Sequence, residues 1–91
     1  MTGSESFKNV CAGFFTQSHH FSTLKDMIDD TVKTFCAAKD RPNLQAYLDE
    51  ILSPHYSDRE REQIYAATHS GLSYSNGGLR TILEMMRDAC T

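Results

Sequence analysis

Histidine and cysteine are the residue types in this sequence that could hold a metal ion, and the chain has four histidines and three cysteines. A zinc site needs paired ligands, such as two cysteines roughly two to four residues apart or two histidines roughly three to five apart. His19 and His20 are adjacent instead, and each cysteine is far from the other two in sequence. We therefore expect no metal site and no bound cofactor, and we interpret the histidines as solvated loop residues.

Cysteine paired with histidine can also act as a nucleophile and its base, but no recognisable catalytic signature surrounds Cys11, Cys36 or Cys90. Their odd number argues against a disulfide framework, and each lies at or near the end of an apolar stripe, where free cysteine behaves as a small hydrophobic residue. We expect three reduced, structural cysteines and no enzymatic activity. A small hydrolase that uses cysteine or histidine is an alternative, and activity that survives the loss of all three cysteines would exclude its cysteine form.

The acidic residues are more informative. Five of them lie outside the apolar stripes of two successive predicted helices: Asp26, Asp29, Asp30, Asp49 and Glu50. On a helix, Asp26 and Asp30 would lie on one face on successive turns and repel each other by about 0.2–0.5 kcal/mol. Asp49 and Glu50 lie in the last turn of a predicted helix, where the negative end of the helix dipole disfavours an acid by about 0.3–1 kcal/mol. Because functional sites are where local rules tend to be broken, the pattern favours a binding surface.

The arrangement of these acids depends on how two successive helices pack. Short connections usually make successive helices antiparallel neighbours, so we expect the five acids to form one patch. The alternative is an ordinary solvated surface, because Lys25 and Lys33 each lie four residues from Asp29 and could neutralise it.

The elements that position the acids are predicted from apolar residues spaced three and four apart, the pattern of a helix with one buried stripe. In the second predicted helix this stripe consists of Leu24, Met27, Ile28, Val32 and Phe35. We predict an all-α fold, a single compact bundle of about five short helices without strands. The first predicted helix runs from about Glu5 to Phe14 with Ser4 as N-cap, and the second from a cap at Ser22 or Thr23 to about Ala38. The third follows the turn at 39–43 and ends at Leu52, and the fourth begins at the capping box of Ser57 and Glu60 and ends at about His69, with Gly71 as C-terminal cap. The fifth runs from Leu79 to about Cys90. Residues 15–21 are predicted to form a loop, and residues 73–78 a turn.

Length and charge narrow the functional classes. Ninety-one residues suffice for a single domain, in which we expect residues 1–4 to be disordered. The net charge of −3 argues against nucleic-acid binding, which needs clustered lysine and arginine. The chain has no apolar run of about 18 residues and begins with a polar segment, so we expect no membrane span, no signal peptide and a cytoplasmic location.

Four short motifs carry a family resemblance. GlyPhePheThrGln at 13–17, MetIleAspAspThrVal at 27–32, GlyLeuSerTyr at 71–74 and LeuArgThrIleLeu at 79–83 resemble, in order and approximate spacing, small helical immunity proteins of bacterial contact-dependent growth inhibition systems. In that family a histidine and an aspartate stand where this chain has Thr16 and Ser18, and the last helix often has a tryptophan, which this chain lacks. Asp29 and Asp30 match the family's acidic pair.

The resemblance implies a non-enzymatic protein that binds and neutralises the C-terminal toxin domain of an effector. Such toxins are often nucleases, and a surface that grips phosphates must be basic, so an acidic patch would mimic the substrate. The expected toxin-binding residues are Asp26, Asp29, Asp30, Asp49, Glu50 and Tyr47, with Tyr56 and Tyr74 as further candidate aromatic anchors. The main alternative is a small helical regulatory or adaptor module that binds a helix of a host protein through an apolar groove.

Overall fold

A computed structural model describes residues 2–17, 23–68, 70, 74 and 78–90. In these parts the chain forms α-helices, a single-turn 3₁₀-helix at Ala38–Asp40 and no strand. The α-helices are α1 (Gly3–Gln17), α2 (Leu24–Phe35), α3 (Arg41–Leu52), α4 (Asp58–Ala66) and α5 (Gly78–Ala89). The Cα radius of gyration is 11.9 Å, close to the value of about 12 Å expected for a compact domain of this length. The predicted all-α bundle of about five helices is confirmed.

Four helices surround the core in the order α1, α2, α5, α3. The main interfaces join α1 to α2 and α3, and join α5 to the same two helices, while α4 packs mainly on α5. The fully buried side chains include Phe7, Val10, Phe14, Ile28, Val32, Leu44, Leu48, Ile51, Leu83 and Met86. In this arrangement α2 and α3 lie diagonally across the bundle, with α1 and α5 between them.

The diagonal placement contradicts the prediction that α2 and α3 are antiparallel neighbours. After α2 ends, Cys36 has an extended backbone (φ −127°, ψ 110°), and the 3₁₀ turn follows before α3 begins. Arg41, at the start of α3, donates from Nε to the Cys36 carbonyl at 3.2 Å and from Nη2 to the Lys33 carbonyl at 3.3 Å. These bonds fasten the start of α3 to the end of α2, so the connection redirects the chain instead of folding it back along α2.

The first helix is longer than predicted at both ends. Thr2 accepts a hydrogen bond from the Glu5 backbone N–H at 3.1 Å and takes the capping position expected for Ser4. Residues 3 and 4, predicted to be disordered, are therefore helical, and the helix continues to Gln17 through the first part of the predicted loop. The apolar period ends after Phe14, but a helix does not need a continued apolar stripe to extend by one more turn. The rest of the predicted loop, 18–21, lies outside the described residues.

The second helix is shorter than predicted. Thr23, one of the two predicted caps, accepts from the Asp26 N–H at 3.1 Å, but the helix ends at Phe35 and not at Ala38. The middle of the predicted stripe is buried, whereas its two end members, Leu24 and Phe35, are 41% and 38% exposed. The predicted burial of the stripe is thus wrong for its two end residues.

The later helices follow the predictions more closely. The capping box is confirmed: Ser57 Oγ accepts from the Glu60 N–H, and Glu60 Oε1 accepts from the Ser57 N–H, both at 3.1 Å. The fourth helix ends at Ala66, before the predicted end at residue 69. The predicted cap at residue 71 and most of the predicted turn at 73–78 lie outside the described residues.

A buried arginine that the sequence analysis did not single out joins α4 to the end of α3. Arg61 is 6% exposed and donates to three backbone carbonyls, those of Ile51 at 2.6 Å, Ser53 at 3.0 Å and Leu52 at 3.4 Å. Its Nη1 also pairs with Asp58 Oδ1 at 2.7 Å. Because the last carbonyls of a helix have no partner within the helix, Arg61 satisfies the C-terminal end of α3 with a side chain from α4.

Candidate functional site

The acids of α2 lie on its outer surface. Asp26 and Asp30 are exposed, and neither forms an ion pair with a residue that the structure describes. Asp29 is half-exposed and accepts from Lys33 Nζ at 2.8 Å, so one of the two lysines considered for its neutralisation does pair with it. We call Asp26, Asp29 and Asp30 the α2 acidic face.

Asp26 has a local structural role that the sequence analysis did not consider. It lies in the first turn of α2, where its N–H is capped by Thr23 and where the positive end of the helix dipole favours an acid. Its repulsion from Asp30, on the next turn of the same face, remains. Asp30 is therefore the acid on this face whose position helix stability does not explain.

The two acids of α3 point in different directions. Asp49 Oδ1 lies 3.6 Å from Nη1 of Arg87 in α5, whereas Glu50 lines a surface groove between α3 and the start of α1. Consecutive residues on a helix project about 100° apart, which explains why one acid faces α5 and the other faces α1. With α2 on the far side of the bundle, the expected single patch is wrong: the five acids occupy three separate locations.

The groove, which we call the α1–α3 groove, brings together residues distant in sequence. Its lining includes Gly3, Ser4, Glu5, Ala46, Tyr47 and Glu50. A Cβ atom at Gly3 would overlap the Asn43 carbonyl oxygen and lie 2.7 Å from Tyr47 Cβ, so only glycine allows the start of α1 to approach α3 this closely. Among the described residues, neither Glu5 nor Glu50 has an ion-pair partner.

Tyr47 is fixed at one side of this groove. Its ring centroid lies 5.5 Å from that of Phe7, with the planes tilted by 50°. Burial raises the pKa of Tyr47, a hydrogen bond with Ser4 lowers it, and the nearby Glu50 carboxylate raises it further. Of the other candidate anchors, Tyr56 is partly buried against the core, and Tyr74 is 36% exposed and meets the Tyr65 ring edge-on at 5.5 Å.

Two features of the surface were not predicted from the sequence. Glu5 was predicted only to lie near a helix start, and nothing in its local sequence indicates that it lines a groove together with Glu50 of α3. Phe35 was assigned to the core, but its half-exposed ring covers Gly13 and forms an apolar depression with Asn9 and Ala12. A Cβ atom at Gly13 would overlap the Phe35 ring, so the absence of a side chain at Gly13 makes room for Phe35.

The cysteines are free thiols, as expected, and two of them are less acidic than an ordinary thiol. Burial raises the pKa of Cys11 to about 12, with a hydrogen bond to Thr68 opposing the shift, and burial raises that of Cys90 to about 11. Activated cysteine nucleophiles have lowered pKa values, so these two thiols are in the opposite state.

Neither a metal-binding cluster nor a membrane-spanning helix lies within the described residues. In that part of the chain, no three side chains of histidine, cysteine, aspartate or glutamate form a group suited to a metal ion. No helix there combines the length and the apolar character that crossing a bilayer requires.

No protein-family model, curated protein or solved structure matches the chain. The described residues form a small all-α domain, and the exposed carboxylates on α2 and in the α1–α3 groove have no ion-pair partner within that part of the chain.

Proposed function

We propose that the chain is an immunity protein of a contact-dependent growth inhibition system, which binds and neutralises the C-terminal toxin domain of an effector in the cytoplasm. The toxin would be a basic domain, most simply a nuclease. The observation that carries the proposal is Asp30 on the α2 acidic face, which is exposed, has no ion-pair partner in the part of the chain that the structure describes, and lies next to Asp29 in the acidic pair that resembles the family's. The four short motifs of the resemblance add to it.

The proposed mechanism is electrostatic attraction followed by blocking of a basic surface. Complementary charge speeds the encounter of two proteins and selects the partner, while buried aromatic and apolar contacts supply much of the affinity. Asp26 and Asp30 project from successive turns of α2 and present two neighbouring negative charges, as a nucleic-acid backbone does. A toxin surface built to hold phosphates would therefore attract this face.

The test is co-purification with the C-terminal domain of the large protein encoded just upstream, together with rescue of growth from its toxicity. Asp30→Lys should slow association by about tenfold at low ionic strength, and the difference should shrink at high salt. Glu62→Lys is the matched control, because Glu62 is exposed on α4 and the charge change is the same. Equal association rates for the two variants would contradict the assignment of the α2 acidic face.

A helical adaptor is the second candidate, and the depression beside Phe35 favours it. The half-exposed Phe35 ring, Ala12 and Gly13 offer an apolar surface between α1 and α2 on which a partner helix could rest. Binding there would change little with ionic strength, unlike binding at the α2 acidic face. Loss of partner binding in Phe35→Ala at every salt concentration would favour the adaptor.

A further inference from the structure

The fourth helix contributes far less apolar burial than its neighbours. In α4, which the structure describes throughout, Tyr65 is the single hydrophobic side chain that is buried, whereas α3 has four such side chains and α5 has five. Helix α4 packs mainly on α5, while the other four helices share the main interfaces of the bundle. Because apolar burial is the dominant favourable contribution to folding, the core holds α4 less tightly than the other helices.

The second anchor of α4 is polar. Arg61 donates to the carbonyls of Ile51, Leu52 and Ser53 at the end of α3. If α4 moves away from the core, Arg61 and the three carbonyls all return to water, so each bond opposes this movement only by its small net advantage over hydration. Opening of α4 therefore leaves no buried polar group without a partner at this anchor.

The surface beneath α4 includes the thiol of Cys11 in α1. Cys11 is 0% exposed and forms a hydrogen bond with Thr68, which follows α4 and is itself 8% exposed. Thr68 Oγ1 donates in turn to the Tyr65 carbonyl at 2.6 Å. The Cys11 thiol also contributes to the raised pKa of Tyr65, so these two side chains lie close together. Tyr65 and Thr68 therefore cover the thiol and are tied to α4.

We propose that α4 and Thr68 form a lid that opens while the other four helices stay packed, and that its opening uncovers the Cys11 thiol. The core does not depend on the lid, since the largest fully buried side chains of the described residues all come from the other four helices. The closed lid protects the thiol from reaction in two ways, because it blocks access and because burial raises the pKa of Cys11 to about 12. The proposal is independent of the proposed function, since α4 carries none of the proposed toxin-binding residues.

The first test measures how fast iodoacetamide alkylates Cys11 in the folded whole chain at about pH 8, with peptide mass spectrometry to distinguish the three cysteines. Iodoacetamide reacts with an exposed thiolate. The rate at Cys11, divided by its rate in the urea-unfolded chain, therefore gives the equilibrium constant for opening. We expect this constant to exceed the global unfolding constant from urea denaturation by at least about tenfold. Equal constants would overturn the proposal, because global unfolding alone would then expose Cys11.

Two variants distinguish opening of the lid from unfolding of the core. Arg61→Met leaves the α3 carbonyls without this donor only while the lid is closed, so alkylation of Cys11 should become at least about tenfold faster. Arg59→Met, which removes an exposed arginine from the same helix, should leave the rate unchanged. An unchanged rate in Arg61→Met would overturn the proposal.

The other variant, Ile28→Val, weakens the core at a fully buried position of α2. It should lower the urea midpoint without changing the alkylation rate of Cys11, because the core carries the same defect whether the lid is closed or open. A rise in the Cys11 rate equal to the rise in the global unfolding constant would contradict a separate opening of the lid.

Hydrogen exchange supplies a readout that does not depend on a cysteine. A helix of nine residues is marginal on its own in water, so the α4 amides should exchange when the lid opens. Their opening constant should agree with that measured at Cys11 and exceed that of the α5 amides. Protection of the α4 amides equal to that of α5 would overturn the proposal.

Discussion

The change Arg61→Met tests whether a single side chain of α4 holds the end of α3 in place. Arg61 is 6% exposed and donates to the carbonyls of Ile51, Leu52 and Ser53, which lie at the C-terminal end of α3. Methionine fills a similar volume without donating a hydrogen bond. The variant therefore removes the bonds while largely preserving the packing.

The expected cost follows from these contacts. A buried acceptor left without its donor costs about 1–3 kcal/mol, and the change leaves no buried charge behind, because Asp58, the carboxylate partner of Arg61, is 82% exposed. The bond to Leu52 is the longest at 3.4 Å, and the Ser53 carbonyl keeps a second donor, the Tyr56 N–H at 3.2 Å, so the 2.6 Å bond to the Ile51 carbonyl contributes most. We expect a loss of about 3 kcal/mol, a large part of the roughly 5–14 kcal/mol available to a chain of this length.

The assay is urea unfolding followed by circular dichroism, with two controls. Arg59→Met removes an exposed arginine from the same helix and should change the unfolding free energy by less than about 0.5 kcal/mol. Asp58→Asn removes the ion pair of Arg61, but Asp58 is 82% exposed, so the expected loss is about 0–1 kcal/mol. A loss below about 1 kcal/mol for Arg61→Met, or an equal loss for Asp58→Asn, would refute the view that the carbonyl contacts dominate.

Three further changes test the core. Ser6 Oγ is buried and has no hydrogen-bond partner among the described residues, so Ser6→Ala should leave the urea midpoint unchanged or raise it. A loss above about 1 kcal/mol would reveal a bond to this hydroxyl. Gly13→Ala forces a methyl group against the Phe35 ring and should cost about 1–3 kcal/mol, whereas the double change Gly13→Ala with Phe35→Ala should cost less than the sum of its parts. Burial raises the pKa of the Cys11 thiol from 9.0 to about 12, so the folded state binds the thiol proton more tightly than the unfolded state does. The free energy of unfolding should therefore fall as the pH rises above 9, and this thiol alone should lower it by about 1.4 kcal/mol at pH 10. Urea unfolding of Cys11→Ala between pH 8 and pH 10 should show a flatter pH dependence than the parent chain, and an equal slope would contradict the assignment.

Much of the secondary structure was predictable because it depends on interactions within a few residues. The capping box of Ser57 and Glu60 joins residues three apart, and the buried stripes of α3 and α5 recur with the period of one helical turn. Helix ends were harder to predict. The end of α2 and the exposure of Phe35 depend on how far the neighbouring helices extend, and the apolar period carries no information on that.

The sequence by itself determined that the chain is a bundle of helices and that it has more acidic than basic residues, since both follow from local pattern and composition. Only the tertiary structure decided how the acids are grouped. The connection through Arg41 places α2 and α3 on opposite sides of the core, Arg87 of α5 neutralises Asp49, and the close approach at Gly3 brings Glu5 of α1 towards α3. Each of these contacts joins residues from different elements, so whether the contact forms depends on the packing of the whole core.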